Sequence, residues 1–172
     1  MKQVAREEGL DPKILCSKIA AGKIVLPFNT RHRPKKVCAI GEGLRTKVNA
    51  NIGTSADSPN LADELKKMKL AVKAGAHTVM DLSTGGNIRK IRQTILRNSP
   101  VALGTVPIYE TAIAAAKRFG STTKMRAEDI LKTIEEHAAD GVDFFTLHCG
   151  VTNEGIARLK KERRVTDVVS RG

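Results

Sequence analysis

From residue 47 onward the chain alternates short apolar runs with amphipathic stretches of helical period, a pattern few folds accept. The spacing predicts a first strand over residues 47–52. A helix capped by Asn60 follows, with Leu61, Leu65, Met68 and Val72 on one face. Gly75 closes that helix, residues 78–82 make a second strand, and Asn87 caps a helix with Ile88, Ile91 and Ile95 on one side. A third strand is predicted over 101–109, helices over 111–118 and 127–139, a fourth strand over 144–148, a helix over 153–162, and a fifth strand at 167–170. Gly75 and Gly141 echo each other, each ending a helix just before a buried strand.

Repeated βα units with short turns imply an α/β fold with parallel strands and right-handed crossovers. Continuously apolar strands fit a sheet covered by helices on one face and by core on the other. A closed (β/α)8 barrel needs about 250 residues, whereas four units and a fifth strand fill this chain of 172. Ending at Gly172, directly after a strand, would leave an unprotected edge. The expectation is therefore an incomplete (β/α)8 TIM-type barrel over 47–172, truncated before closure. It is preceded by a helical lead-in and connector over 1–46, where Asp11-Pro12 starts a helix bearing Ile14, Leu15 and Ile19.

Composition narrows the function. No apolar run approaches the length of a membrane span and no apolar segment follows the N-terminus, so the expected location is cytoplasmic. Cys16, Cys38 and Cys149 form no Cys-x-x-Cys pair, which argues against a disulfide framework or a metal knuckle. Residues 1–46 hold ten Lys and Arg against four Asp and Glu, densest at Arg31-His32-Arg33-Pro34-Lys35-Lys36. Such a field suits nucleic acid or a phosphorylated small molecule. Because Phe28 is its only neighbouring aromatic, a solvated face or contact surface is the preferred reading over a nucleic-acid site.

Gly41-Glu42-Gly43-Leu44-Arg45-Thr46 partly matches a dinucleotide fingerprint, but an extended run follows where the fingerprint requires a helix. Ser83-Thr84-Gly85-Gly86 reads as a tight βα turn rather than a phosphate cradle. His148 and Cys149 are strand neighbours on opposite faces and cannot form a nucleophile pair. His32, His77 and His137 are weaker candidates. Asn51, Asp81, Tyr109, His148 and Arg171 all fall at or just past the carboxyl end of a predicted strand, where barrel sites are built. Such a rim can hold a polar, anionic small molecule.

The residues also carry a resemblance. Gly41-Glu42-Gly43 with Thr46-Lys47-Val48-Asn49-Ala50-Asn51-Ile52-Gly53-Thr54-Ser55 is similar to the signature of the phosphomethylpyrimidine synthase (ThiC) family of thiamine biosynthesis. So are Val79-Met80-Asp81-Leu82-Ser83-Thr84-Gly85-Gly86 and Gly104-Thr105-Val106-Pro107-Ile108-Tyr109. Asp140-Gly141-Val142-Asp143-Phe144, His148-Cys149-Gly150-Val151-Thr152 and Val169-Ser170-Arg171-Gly172 complete the set, in order over nearly all of residues 13–172.

The resemblance implies a radical S-adenosylmethionine (SAM) lyase on a (β/α)8 barrel. It would convert 5-aminoimidazole ribotide to hydroxymethylpyrimidine phosphate, releasing formate and carbon monoxide. A [4Fe-4S] cluster, SAM and a second metal (zinc or iron) would serve the complete enzyme, a homodimer. Substrate contacts carry over onto Asn51, Met80, Tyr109, His148, Ser170, Arg171 and Gly172, with Met80 displacing its neighbour Asp81. The family's Cys-x-x-Cys-x-x-x-x-Cys segment and histidine-ligated metal site are absent from this sequence. The expectation is that this chain alone holds no catalytic or metal-ligating residue, binds no cofactor and does not turn over. Two other readings stand beside this one: a different phosphosugar-acting barrel enzyme without a cluster, and a basic nucleic-acid-binding protein.

Overall fold

A computed structural model describes residues 1–162, so the predicted fifth strand, with Ser170, Arg171 and Gly172, lies outside the described residues. Two short helices come first, α1 (Lys2–Glu8) and α2 (Pro12–Ala20). The Asp11 side chain accepts from the Lys13 N–H, and Pro12 stands where a helix needs no N–H. Strands β1 (Ile24–Val25) and β2 (Ile40–Gly41) pair antiparallel beside them. Val4, Ala5, Leu15, Ile24 and Ala39 form a small core of their own.

The larger unit is a four-stranded parallel sheet in the order β3 (Asn49–Ile52), β4 (Thr78–Asp81), β5 (Ala102–Thr105) and β6 (Phe144–Phe145). Helix α3 (Leu61–Lys73) joins the first pair and α4 (Ile88–Asn98) the second. Between β5 and β6 run α5 (Pro107–Phe119), a 3-10 turn (Thr122–Lys124) and α6 (Ala127–Asp140); α7 (Asn153–Glu162) follows β6. Both predicted asparagine caps form, Asn60 accepting from Ala62 N–H and Asn87 from Lys90 N–H. Gly75 and Gly141, at φ 102° and 112°, make the left-handed turns into β4 and β6 that the repeat required.

The predicted helix faces meet the sheet. Met68, Ile91, Ile95 and Leu96 pack with Ile52, Val79, Leu103 and Val142 in one buried cluster, flanked by Leu61, Leu65 and Val72. No helix among the described residues is long and apolar enough to cross a membrane.

Several local expectations shift: the first strand begins at Asn49 rather than residue 47, and the second ends at Asp81 rather than residue 82. The third strand stops at Thr105 rather than residue 109, because Pro107 takes the first position of α5. Its fixed φ suits that position, and its missing N–H would have broken a strand ladder. Tyr109 therefore sits in a helix's first turn instead of at a strand end. The fourth strand is two residues long, so His148 lies in the segment beyond it.

The basic run of residues 31–36 is a strap across the amino end of the sheet. Lys36 N–H donates to Pro100 O and bridges in parallel to Val101. Arg31 caps the Ala139 carbonyl. His32 Nδ1 lies 2.6 Å from Asp143 Oδ2, with the two side chains 4% and 0% exposed, and its Nε2 faces the Ser99 carbonyl. Burial pushes this imidazole down, but the hydrogen bond and charge of Asp143 more than reverse that, and its pKa is raised.

Candidate functional site

Strand parity decides which side chains share a face. Asn51 registers with Met80, Met80 with Gly104, and Gly104 with Phe144, so these four occupy one row. Ile52, Val79, Leu103 and Phe145, of opposite parity, all pack in the helix-side core. The Asn51 row thus lies on the face turned away from the helices, near the carboxyl ends of the strands.

That row is tied together. Asn49 Nδ2 donates to Asn51 Oδ1 at 2.9 Å, and Thr78 Oγ1 donates to Asn49 Oδ1. This fixes which way the Asn51 amide presents its donor and acceptor atoms. Thr146 Oγ1 donates to Met80 Sδ at 3.6 Å, drawing the segment after β6 over the thioether. Gly104 is required by its neighbour, since a Cβ there would stand 2.3 Å from the Phe144 ring. At the same end of the sheet, the Tyr109 and His148 rings lie 6.1 Å apart, tilted by 47°.

Asn51 and His148 are exposed, and Met80 and Tyr109 are half-buried. The structure therefore pairs Asn51 with Met80 and Tyr109 with His148, both pairs at the carboxyl end of the parallel strands. Asp81 does not join them. Having the parity of Ile52 and Thr105, it points to the helix side, where its carboxylate accepts from the Ser83 N–H and hydroxyl. Burial raises its pKa despite those hydrogen bonds.

The Ser83-Thr84-Gly85-Gly86 stretch is a turn zipped to the loop after β3. Thr54 N–H donates to Ser83 Oγ, Thr54 Oγ1 donates to Gly85 O, and Thr84 N–H donates to Thr54 O. A Cβ at Gly85 would fall within 1.9 Å of the Ser55 carbonyl oxygen, so close approach explains the glycine. Gly41 is constrained likewise against Lys23, and a turn follows its strand, with no helix before β3.

One cluster escaped the sequence reading. Arg92 of α4, 1% exposed, donates through Nε and Nη2 to Asp140 and through Nη1 to Glu110. Glu110 Oε2 also meets His137 Nε2 at 2.7 Å, and His137 Nδ1 meets Thr105 Oγ1 at 2.9 Å. Burial alone would raise the Glu110 carboxyl, but His137 and Arg92 more than offset it and hold it below the ordinary glutamate range. The signal was present in outline: Arg92 adjoins Ile91 and precedes Ile95 by three, so a cation stands on the apolar stripe of α4.

Among the described residues no three His, Cys, Asp or Glu side chains converge to hold a metal. Cys38 is buried while Cys16 and Cys149 are exposed, and all three are free thiols. These donors do not fit an iron–sulfur cluster, which needs closely placed thiolates.

Comparison with known proteins gives concordant matches. The model of the radical SAM ThiC family matches residues 1–172. The chain is 49% identical over all 172 residues to a phosphomethylpyrimidine synthase of Moorella thermoacetica. It is 51% identical, again over its whole length, to those of Dehalococcoides mccartyi and Desulforudis audaxviator. It spans 40% of the length of each of these relatives.

Proposed function

Because the chain belongs to the radical SAM ThiC family, we propose that it is part of a phosphomethylpyrimidine synthase and provides that enzyme's grip on 5-aminoimidazole ribotide. In this reading the parallel sheet is the opening arc of a (β/α)8 barrel over residues 47–172, with residues 1–46 as a lead-in, and the carboxyl ends of the strands carry the substrate. The observation that supports it is the placement of Asn51 beside Met80, on the helix-free face, at the same end as the Tyr109–His148 ring pair.

Each side chain then has a task its chemistry suits. The Asn51 amide and His148 imidazole meet ribose hydroxyls, phosphate or ring nitrogen, and Met80 and Tyr109 wall the heterocycle. Ser170, Arg171 and Gly172 hold the phosphate, where a guanidinium gives short charge-assisted bonds. The whole enzyme would rearrange the ribotide to hydroxymethylpyrimidine phosphate with loss of formate and carbon monoxide. SAM and the cluster act in that reaction, but the described residues do not fit a cluster. No step through it is assigned to this chain, whose part is binding and orientation and which alone should not turn over.

Calorimetric titration with 5-aminoimidazole ribotide tests the reading. His148→Ala and Arg171→Ala should each weaken binding by about 10–100-fold, the worth of one hydrogen bond to a charged group at roughly 1.5–3 kcal/mol. Unchanged affinity in both variants would refute the assignment.

A further inference from the structure

The first turn of α5 carries Tyr109, yet nothing caps it in the ordinary way. Its N-cap position is Val106, which provides no side-chain hydrogen bond. Thr111 Oγ1 ties the helix to Thr133 of α6, and the turn is tied further by Glu110, the residue after Tyr109. Its carboxylate is gripped from two other helices, by Arg92 of α4 and His137 of α6. Each grip is itself anchored, Arg92 by Asp140 and His137 by Thr105 at the end of β5. Tyr109, Glu110, Arg92, His137, Thr105 and Asp81 line one small cavity, so the ring and the cluster share a wall.

We propose that the buried Arg92–Glu110–His137 cluster is a positioning device for Tyr109, fixing the α5 turn so that the ring stands at the rim facing His148. The inference rests on the substrate reading above for the ring's task, but not for the geometry. Stability alone is a poor reason for such a cluster, since a buried ion pair is often matched or bettered by apolar side chains of similar volume. Orientation is a better one, because a binding group works only when its support is locked by a second layer of contacts. The charged atoms lie on the helix side of the sheet and the ring lies at its edge, so the cluster acts through Tyr109 and does not touch the ligand itself.

The chain offers its own probe, since Tyr109 is its only tyrosine and it has no tryptophan. Intrinsic fluorescence and its acrylamide quenching therefore report this one ring. Glu110→Gln keeps the side-chain shape and removes the charge. Below its melting temperature, with an unchanged circular dichroism spectrum, it should make Tyr109 about two-fold more accessible to quencher and weaken ribotide binding about ten-fold. Asp129→Asn, which breaks an exposed pair on α6, should lower stability without moving either signal. If Glu110→Gln fails to fold, Thr105→Val removes only the hydroxyl facing His137 and makes the same test. Wild-type quenching in the folded variant would overturn the proposal. If quenching moves but the ribotide never binds, in wild type or variant, the positioning stands and the substrate reading falls.

Discussion

Asp143 is the residue whose removal the strap should feel most. Its side chain is 0% exposed, and three donors converge on it: Asn29 N–H on Oδ1, and Leu103 N–H and His32 Nδ1 on Oδ2. Asp143→Ala leaves all three without their acceptor. An orphaned buried polar group costs about 1–3 kcal/mol, and breaking a buried pair by deleting one partner about 3–5 kcal/mol. The groups share one site, so their losses overlap rather than add, and the expected destabilisation is about 3–5 kcal/mol. With a urea slope of roughly 2 kcal/mol/M, the unfolding midpoint should fall by about 2 M at unchanged slope. A cycle with His32→Ala should show coupling, since each change removes the same contact. The pH dependence has a definite sign. The folded His32 pKa is raised above the unfolded value of about 6.5, so its contribution is complete below that pH and is lost as pH rises through the folded value. In Asp143→Ala that alkaline limb should flatten. A midpoint shift below about 0.5 M, or an undiminished alkaline limb, would refute the buried imidazolium–carboxylate strap.

Two further perturbations test other parts of the structure. Gly104→Ala sets a methyl against the Phe144 ring, and should lower stability by about 1–3 kcal/mol in thermal melts; a neutral result would mean the ring has room to move. Glu8 pairs with Lys47 at 2.9 Å with both side chains nearly buried. Burial pushes its carboxyl up, but Lys47 and Arg45 bring it below the ordinary range. That pair's contribution is present above the unfolded glutamate pKa of about 4.3 and lost as pH falls through the lower folded value, so Glu8→Gln should remove part of the acid limb of a stability–pH curve.

The alternation of strand and helix was legible from residue order because its causes are local. Asn60 and Asn87 cap helices through neighbours two and three residues away, and Gly75 and Gly141 turn the chain wherever it lies. The periodicities of Leu61, Leu65 and Met68, or of Ile91 and Ile95, likewise need only a helix to place them together. Of the candidate rim residues, Asn51 was legible from its place near the end of a predicted strand, and the resemblance supplied Met80. Other features waited on distant partners. Met80 and Asp81 are adjacent letters, and only the pairing of β3 with β4 puts the first beside Asn51 and the second behind the sheet. Pro107 converted a predicted strand end into a helix start and carried Tyr109 with it. Arg92, Glu110, His137 and Asp140 are spread over three helices, and His32 lies 111 residues from Asp143. The apolar stripe of α4 hints that Arg92 is buried, but the counter-charges that compensate it arrive only through space. The residue order determined the units, and their packing decided which side chains stand on the helix-free face and which are buried behind it.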